Sequence, residues 1–217
     1  MLLCDRFILE GIIVSQLLKL VLSACLAAMA TGLVACAPAK PAAPLAQAAA
    51  TETTLPPSNY ELADEGTVFV WRDLNSGDTV EERVGKHSGR MMESRYGTRR
   101  SFSYVPDPWA DNENTDPAGI EPLFPLEVGK KVSFERRPGI GLTKDTVEVL
   151  RTETLTLPFG PVDTYVIATE SRAVMANWVG KATVWYAPSL HWQVQWVITD
   201  NDGDNRRRQV IEVRKPQ

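Results

Sequence analysis

The sequence predicts an all-β fold, in which residues 60–217 form a single antiparallel, strongly curved sheet or a partial barrel or sandwich. Segments rich in β-branched and aromatic residues recur through this region with turn residues between them, and no long segment has the apolar spacing of a helix. The segment WYAPSLHWQVQWVIT (185–199) alternates apolar and polar residues in its second half, which is typical of a half-buried strand.

The first predicted strands follow one another in short steps. GTVFVWRDL (66–74) is reversed by the turn cluster NSGD into TVEERVGKH (79–87). A further strand is TRRSFSYV (98–105). Residues 106–122 after it are rich in proline and acidic residues, which predicts a surface loop.

The C-terminal half has the denser strand pattern. Besides the 185–199 segment, strands are predicted at 126–137, 145–157, 162–171, 181–188 and 207–215. Gly160 and Pro161 mark a hairpin turn between two of these strands. Residues 170–180, ESRAVMANWVG, are the one helical candidate and fit an irregular strand equally well.

Strand parity divides the tryptophan-rich segment between two faces. Trp192 and Trp196 share the face that should pack against a core, whereas His191 falls on the polar face beside two glutamines. Core packing accounts for the aromatic residues, but a curved sheet that stays open can also leave an apolar trough. In that alternative, Trp185, Trp192 and Trp196 bind a hydrophobic ligand.

Composition excludes several classes of function. The chain has 217 residues, a formal net charge of -4 and 23% charged residues. Nucleic acid is therefore not an expected partner, because binding it needs a clustered basic surface. All three cysteines, Cys4, Cys25 and Cys36, precede the predicted strands, so the β-domain has no disulfide, thiolate nucleophile or cysteine metal cluster.

The sequence contains no recognisable reactive constellation. His87 and His191 are the only histidines, and neither lies in a pattern with serine and carboxylate that is typical of nucleophilic catalysis. DNDGDN (200–205) has the aspartates of a calcium loop, but Asn205 and Ile211 replace its glycine and glutamate, so a hairpin turn is favoured. We expect no catalytic residue, metal site or cofactor. A hydrolase is the less favoured alternative and needs a histidine beside a nucleophile.

The N-terminal residues predict export and lipidation. LVLSACLAAMATGLVA (20–35) is an apolar run after Lys19, shorter than the roughly 20 residues that a membrane-spanning helix needs, and it matches a secretory signal. It leads into LVAC (33–36), which resembles the lipobox of bacterial lipoproteins. The resemblance implies cleavage before Cys36 and acylation of its thiol, which anchors a protein stably. LSAC, ending at Cys25, also fits, but cleavage there would leave an apolar tail.

The chain thus divides into a lipoprotein signal peptide (1–35), a flexible Ala/Pro linker (36–59) and the β-domain (60–217). The linker has too few large apolar groups to fold and is expected to hold the domain off the bilayer. In enterobacterial lipoproteins an aspartate after the cysteine favours the inner membrane. Ala37 stands there in this chain, so the resemblance implies an outer-membrane anchor facing the periplasm. Residues 1–16 fit a signal peptide poorly, and we expect translation to start near Leu17 or Leu18.

Three segments resemble a family of bacterial envelope β-domains of unknown function. FPLEVGKKVSF (124–134), TETLTLPFGPVDTYVI (152–167) and VWYAPSLHWQVQW (184–196) match, in order and spacing, its L-x-V-G-K strand start, its hairpin and its W-Y-x-P strand. The chain departs at Val162, where the family has phenylalanine, and at His191, where it often has glycine. The resemblance implies an envelope β-domain and carries over no catalytic residue.

These observations together favour a membrane-anchored periplasmic lipoprotein that binds rather than catalyses. We expect a binding or envelope-assembly module for a protein partner, with the membrane as a second partner through Cys36. The alternative is a carrier of a lipid or other hydrophobic ligand at the tryptophans.

Overall fold

The structure is a computed structural model that describes residues 50–88, 91–96, 99–103, 119–137 and 141–216. Eleven strands account for most of these residues. They are β1 (Ala50–Glu52), β2 (Val68–Asp73), β3 (Thr79–Ser88), β4 (Met91–Tyr96), β5 (Arg99–Ser103), β6 (Lys131–Arg136), β7 (Thr143–Leu157), β8 (Gly160–Ala173), β9 (Val179–Ala187), β10 (Trp192–Asp200) and β11 (Asn205–Arg214). Two short 3-10 helices lie at Glu121–Leu123 and Pro188–Leu190.

These strands form one antiparallel sheet that does not close, so the fold-class prediction is confirmed. The order is β1-β7-β8-β9-β10-β11-β2-β3-β4-β5, and β6 also pairs with β7. β11, the last strand in the chain, lies between β10 and β2. It thereby joins the C-terminal strands to the N-terminal strands within the sheet. Among the described residues, no helix has the length and apolar character needed to cross a membrane.

Bulges bend several of these strands. The pairing skips one residue at Leu150 in β7, at Val194 in β10 and at Ile211 in β11. An extra residue on one strand increases the local right-handed twist, so each bulge adds curvature to the sheet. The turn between β7 and β8 requires Gly160, whose φ of 126° is rarely adopted by residues with a side chain.

Aromatic side chains fill much of the core. Phe69 of β2 stacks on Trp192 of β10, with ring centroids 5.1 Å apart and planes inclined by 8°. Trp71, Tyr165 and Tyr186 are also buried. Rings of this size remove large apolar areas from water, and they supply a major part of the stabilisation of a β-domain.

Two segments outside the strands cover one side of this core. The segment before β2 contributes Tyr60, and the segment around the first 3-10 helix contributes Phe124. Their rings meet edge to face at 5.1 Å, and Phe124 also packs edge to face on Tyr186 at 6.5 Å. Leu123 and Leu126 of the second segment are fully buried.

The linker prediction is wrong for residues 50–59, which belong to the folded domain. β1 pairs with β7, and Oγ1 of Thr152 donates a 2.6 Å hydrogen bond to the carbonyl of Thr53. Ser58 forms a backbone bridge with Leu126. Backbone pairing of this kind needs few apolar side chains, which is why the composition does not indicate it. Residues 36–49 lie outside the described residues.

Some predicted elements differ in their boundaries. Residues 170–180 form the end of β8, a turn and the start of β9 rather than a helix. β6 begins at Lys131, later than its pattern indicates, and β4 was not predicted as a strand. The predicted surface loop at 106–122 ends in a buried residue, Ile120, and its residues 106–118 lie outside the described part of the chain.

Candidate functional site

An open cleft of about 710 Å³ lies beside the turn between β7 and β8. Three parts of the chain form it: the segment before β2, the paired ends of β7 and β8, and the 3-10 helix before β10. Its lining residues are Leu55, Pro56, Pro57, Ser58, Asn59, Glu61, Thr154, Pro161, Val162, Asp163, Pro188 and Ser189. The volume falls within the usual range for small-molecule and peptide sites.

Backbone and side-chain hydrogen bonds hold the first wall in place. The hydroxyl of Tyr165 in β8 donates to the carbonyl of Pro56. Ser58 exchanges backbone hydrogen bonds of 3.2 and 2.7 Å with Leu126. The wall is thus attached to β8 and to the segment that follows the first 3-10 helix, although it lies outside the strands. We conclude that the cleft is a preformed feature of the domain.

The cleft has an acidic rim. Asp163 and Glu61 both line it and are exposed. Oγ1 of Thr154, on the neighbouring strand, donates a 2.5 Å hydrogen bond to Oδ1 of Asp163. Oε2 of Glu61 lies 3.3 Å from Nε2 of His191. Both carboxylates therefore have a side-chain partner at the rim.

His191 lies at the rim rather than in the core. It adopts the left-handed conformation, with φ of 50°, directly after the 3-10 helix, and its side chain is 30% exposed. Among the described residues it has a carboxylate partner, Glu61, and no hydrogen bond to a hydroxyl. Nε2 of His87, the other histidine, lies 2.9 Å from the carbonyl of Ala63. A general base needs a nucleophile within hydrogen-bond reach, and in the described part of the chain no hydroxyl or thiol is bonded to either imidazole.

The structure places the three predicted ligand-binding tryptophans apart. Trp192 is only 1% exposed because it stacks on Phe69, whereas Trp196 is partly buried and carries the guanidinium of Arg208 at 5.3 Å from its ring centroid. Trp185 pairs with Gln195, so it lies on the face opposite to Trp196, whereas Trp192 pairs with Ala187, two residues from Trp185. The ligand-binding role of these three tryptophans stays a prediction. None of the three lines the cleft.

Trp185 belongs to a buried polar cluster. Its Nε1 donates a 2.5 Å hydrogen bond to Oε1 of Glu153, and Nε of Arg151 lies 2.7 Å from the other carboxylate oxygen. Glu153 is 6% exposed. The two donors satisfy a carboxylate that would otherwise be costly to bury. The cluster explains the burial of Glu153, which nothing in the strand pattern indicated.

The DNDGDN segment is the turn between β10 and β11, as predicted. Oδ1 of Asp200 accepts hydrogen bonds from the backbone amides of Asp202 and Asp204, at 2.9 and 2.8 Å. Nε1 of Trp178 donates to its other oxygen at 3.2 Å. The hydrogen bond from Asp204, followed by that from Trp178, holds the pKa of Asp200 below its ordinary value. In the described ranges, no group of acidic, histidine or cysteine side chains is arranged to hold a metal ion.

Sequence reasoning did not find the cleft, and Cys36 cannot be placed. The walls come largely from a segment assigned to the linker and from a hairpin turn. The one signal in the sequence is the prolines of LPPSN and GPVD, which fix the backbone and remove N–H donors. Cys36, the predicted lipidation site, lies outside the described residues.

No sequence-defined protein family matches the chain, and no curated protein is similar to it in sequence. Among solved structures, it is similar to the hypothetical lipoprotein YmcC from Escherichia coli, with 13% identity, a TM-score of 0.43 and coverage of 73% of this chain and 92% of that chain. A protein from Bacteroides fragilis described as exported, with a YmcC-like fold, has 14% identity and a TM-score of 0.41, covering 73% and 100%.

A protein from Parabacteroides distasonis described as a lipoprotein has 15% identity and a TM-score of 0.39, covering 74% of this chain and 100% of that chain. All three similarities are too distant to support an argument about this chain.

Proposed function

We propose that the chain is a lipoprotein acylated at Cys36, anchored in the outer membrane and facing the periplasm, whose β-domain binds a protein partner of the envelope. The LVAC motif after an apolar run supports the anchor. The open cleft beside the β7–β8 turn supports the binding role. In this proposal the acyl chains hold the domain at the membrane, and the cleft receives the partner.

The cleft is the single observation that carries the binding role. Its walls combine apolar and polar groups on a preformed backbone, which is the usual character of a recognition site. A carrier of a hydrophobic ligand is less well supported, because Trp192 is used in the core and Trp185 is buried and hydrogen-bonded to Glu153. We therefore prefer a protein partner to a lipid.

Site-specific photo-crosslinking in cells tests the proposal. Ser189 is exposed and lines the cleft, so a photoreactive benzoylphenylalanine at this position should form a discrete adduct with an envelope protein. As the matched control, benzoylphenylalanine replaces Lys181, which is exposed on β9 and does not line the cleft. An adduct from position 189 but not from position 181 supports the role of the cleft. No adduct, or the same adducts from both positions, contradicts it.

A further inference from the structure

We infer that the cleft beside the β7–β8 turn takes an extended segment of the partner protein that presents a lysine or arginine side chain. The inference rests on the proposed function and specifies the chemistry of the partner. It follows from which groups line the cleft and which of their atoms are still able to form hydrogen bonds.

The backbone of the cleft walls is poor in hydrogen-bond donors. Four lining residues are prolines: Pro56, Pro57, Pro161 and Pro188. A proline keeps its carbonyl acceptor but has no backbone N–H, so these positions offer acceptors alone. Ser58 uses its N–H on Leu126, which removes a further donor from this wall. A ligand rich in donors therefore fits the lining better than one rich in acceptors.

The charged groups of the lining have one sign. Among the described residues that line it, Glu61 and Asp163 are the ionisable ones, and none is a lysine or an arginine. Thr154 occupies Oδ1 of Asp163, while Oδ2 has no hydrogen bond to the described residues. Asp163 is exposed, and this oxygen can accept a charge-assisted hydrogen bond from an ammonium or guanidinium group. An anionic ligand would meet two like charges in the same space.

The shape of the lining favours an extended segment over a compact ion. Apolar surface from Leu55 and Val162 lies together with the proline rings along the cleft. An extended peptide can cover this surface with its side chains and direct its own N–H groups to the wall carbonyls. The cationic side chain then meets the acidic rim. A free metal ion or a small amine would leave most of the apolar surface uncovered.

Peptide titrations on the full-length chain in detergent micelles test the inference. The probes are three acetylated and amidated nonapeptides of alternating alanine and threonine whose fifth residue is arginine, glutamine or glutamate. We expect the arginine peptide to bind most tightly and the glutamate peptide least tightly in isothermal titration calorimetry. Asp163→Asn and Glu61→Gln should each weaken binding of the arginine peptide by about two- to fivefold, the effect of an exposed ion pair. Both changes should leave binding of the glutamine peptide unchanged.

The control is Glu212→Gln, which removes an exposed carboxylate on β11 that does not line the cleft. It should leave all three affinities unchanged, and circular dichroism should show that each variant stays folded. Failure of the arginine peptide to bind, equal binding of the three peptides, or an equal loss in the Glu212→Gln variant overturns the inference. If one of these results is obtained while photo-crosslinking from position 189 still gives the adduct, only the preference for a cationic side chain is refuted. Loss of that adduct removes the proposed function itself.

Discussion

Trp185 and Glu153 are joined across an intervening strand by a hydrogen bond of 2.5 Å from the indole Nε1 to Oε1. β8 separates the two strands that carry them, and both side chains are buried. Arg151 supplies the second donor to the carboxylate. The bond therefore connects β7 and β9 through side chains, across β8, in addition to the backbone ladder.

We expect Trp185→Phe to lower the free energy of unfolding by about 1.5–3 kcal/mol, the range for a hydrogen bond to a charged group. The phenyl ring retains most of the apolar contact but leaves one carboxylate oxygen without its donor. Urea denaturation followed by circular dichroism measures the change. Trp178→Phe is the matched control, since Trp178 donates to Asp200 at a solvent-exposed turn, and its loss should stay below about 1 kcal/mol. Equal losses of unfolding free energy in the two variants would show that the destabilisation by Trp185→Phe does not come from the burial of Glu153.

Arg136 and Asp145 form a buried ion pair between β6 and β7, with side chains that are 5% and 0% exposed. Removing one partner of such a pair leaves a buried charge uncompensated, so Arg136→Met should destabilise the domain by about 3–5 kcal/mol at neutral pH. Burial raises the pKa of Asp145, and the positive charge of Arg136 opposes that rise. In the variant the opposing charge is gone, so the folded-state pKa of Asp145 rises further.

The pH dependence of this variant follows from the sign of that change. A carboxyl group whose pKa is raised by folding favours the folded state at low pH and loses this contribution as the pH rises through the folded-state pKa. The destabilisation by Arg136→Met should thus be larger at pH 7.5 than at pH 4.5, measured by urea denaturation. Arg172→Met, which removes an exposed pair with Glu170, should cost less than about 1 kcal/mol at both pH values. A loss from Arg136→Met that does not vary with pH would contradict the argument.

Trp192 and Trp196 should respond differently to truncation. Trp192→Ala removes a fully buried ring that stacks on Phe69, and we expect a loss of about 3–5 kcal/mol in the free energy of unfolding. Trp196 is only partly buried, so Trp196→Ala should cost clearly less. Thermal and urea unfolding of the two variants provide the comparison. A larger loss at Trp196 would mean that the core lies elsewhere than the Phe69–Trp192 stack.

Lipidation at Cys36 can be distinguished from the alternative at Cys25. We expect Cys36→Ser to abolish incorporation of labelled palmitate and to release the chain from the membrane fraction, because in the proposed function this thiol accepts the acyl groups. Cys25→Ser is the matched control and should leave both unchanged. Retained labelling in the first variant with loss in the second would move the anchor to Cys25.

Much of the sheet could be predicted because strand periodicity is a local property. The alternation in 185–199 correctly predicted that Trp192 lies in the core. Trp196 is partly buried and packs on the surface of that core. It placed Gln195 on the polar face, and the structure buries that residue through a 3.0 Å hydrogen bond to Gln209 on β11. The partner of a buried polar side chain lies on another strand, and local periodicity contains no information about it.

The candidate site was harder to predict than the strands. Glu61, Asp163 and Ser189 lie in three different segments, and none of them forms a recognisable motif. The proline pair at Pro56 and Pro57 was assigned to the linker because its composition is poor in large apolar residues. Its place in the fold depends on Tyr165, whose hydroxyl donates to the Pro56 carbonyl.

The sequence by itself determined the all-β class, most of the strands and the inward direction of the large aromatic side chains, because these follow from alternation along a few consecutive residues. Only the tertiary structure decided which strands are neighbours, where the cleft opens and which buried polar groups meet. Contacts such as Thr152 with Thr53 and Tyr165 with Pro56 join residues separated by 99 and 109 positions in the chain. Pairings over such distances depend on how the whole sheet curves, and no local pattern specifies that.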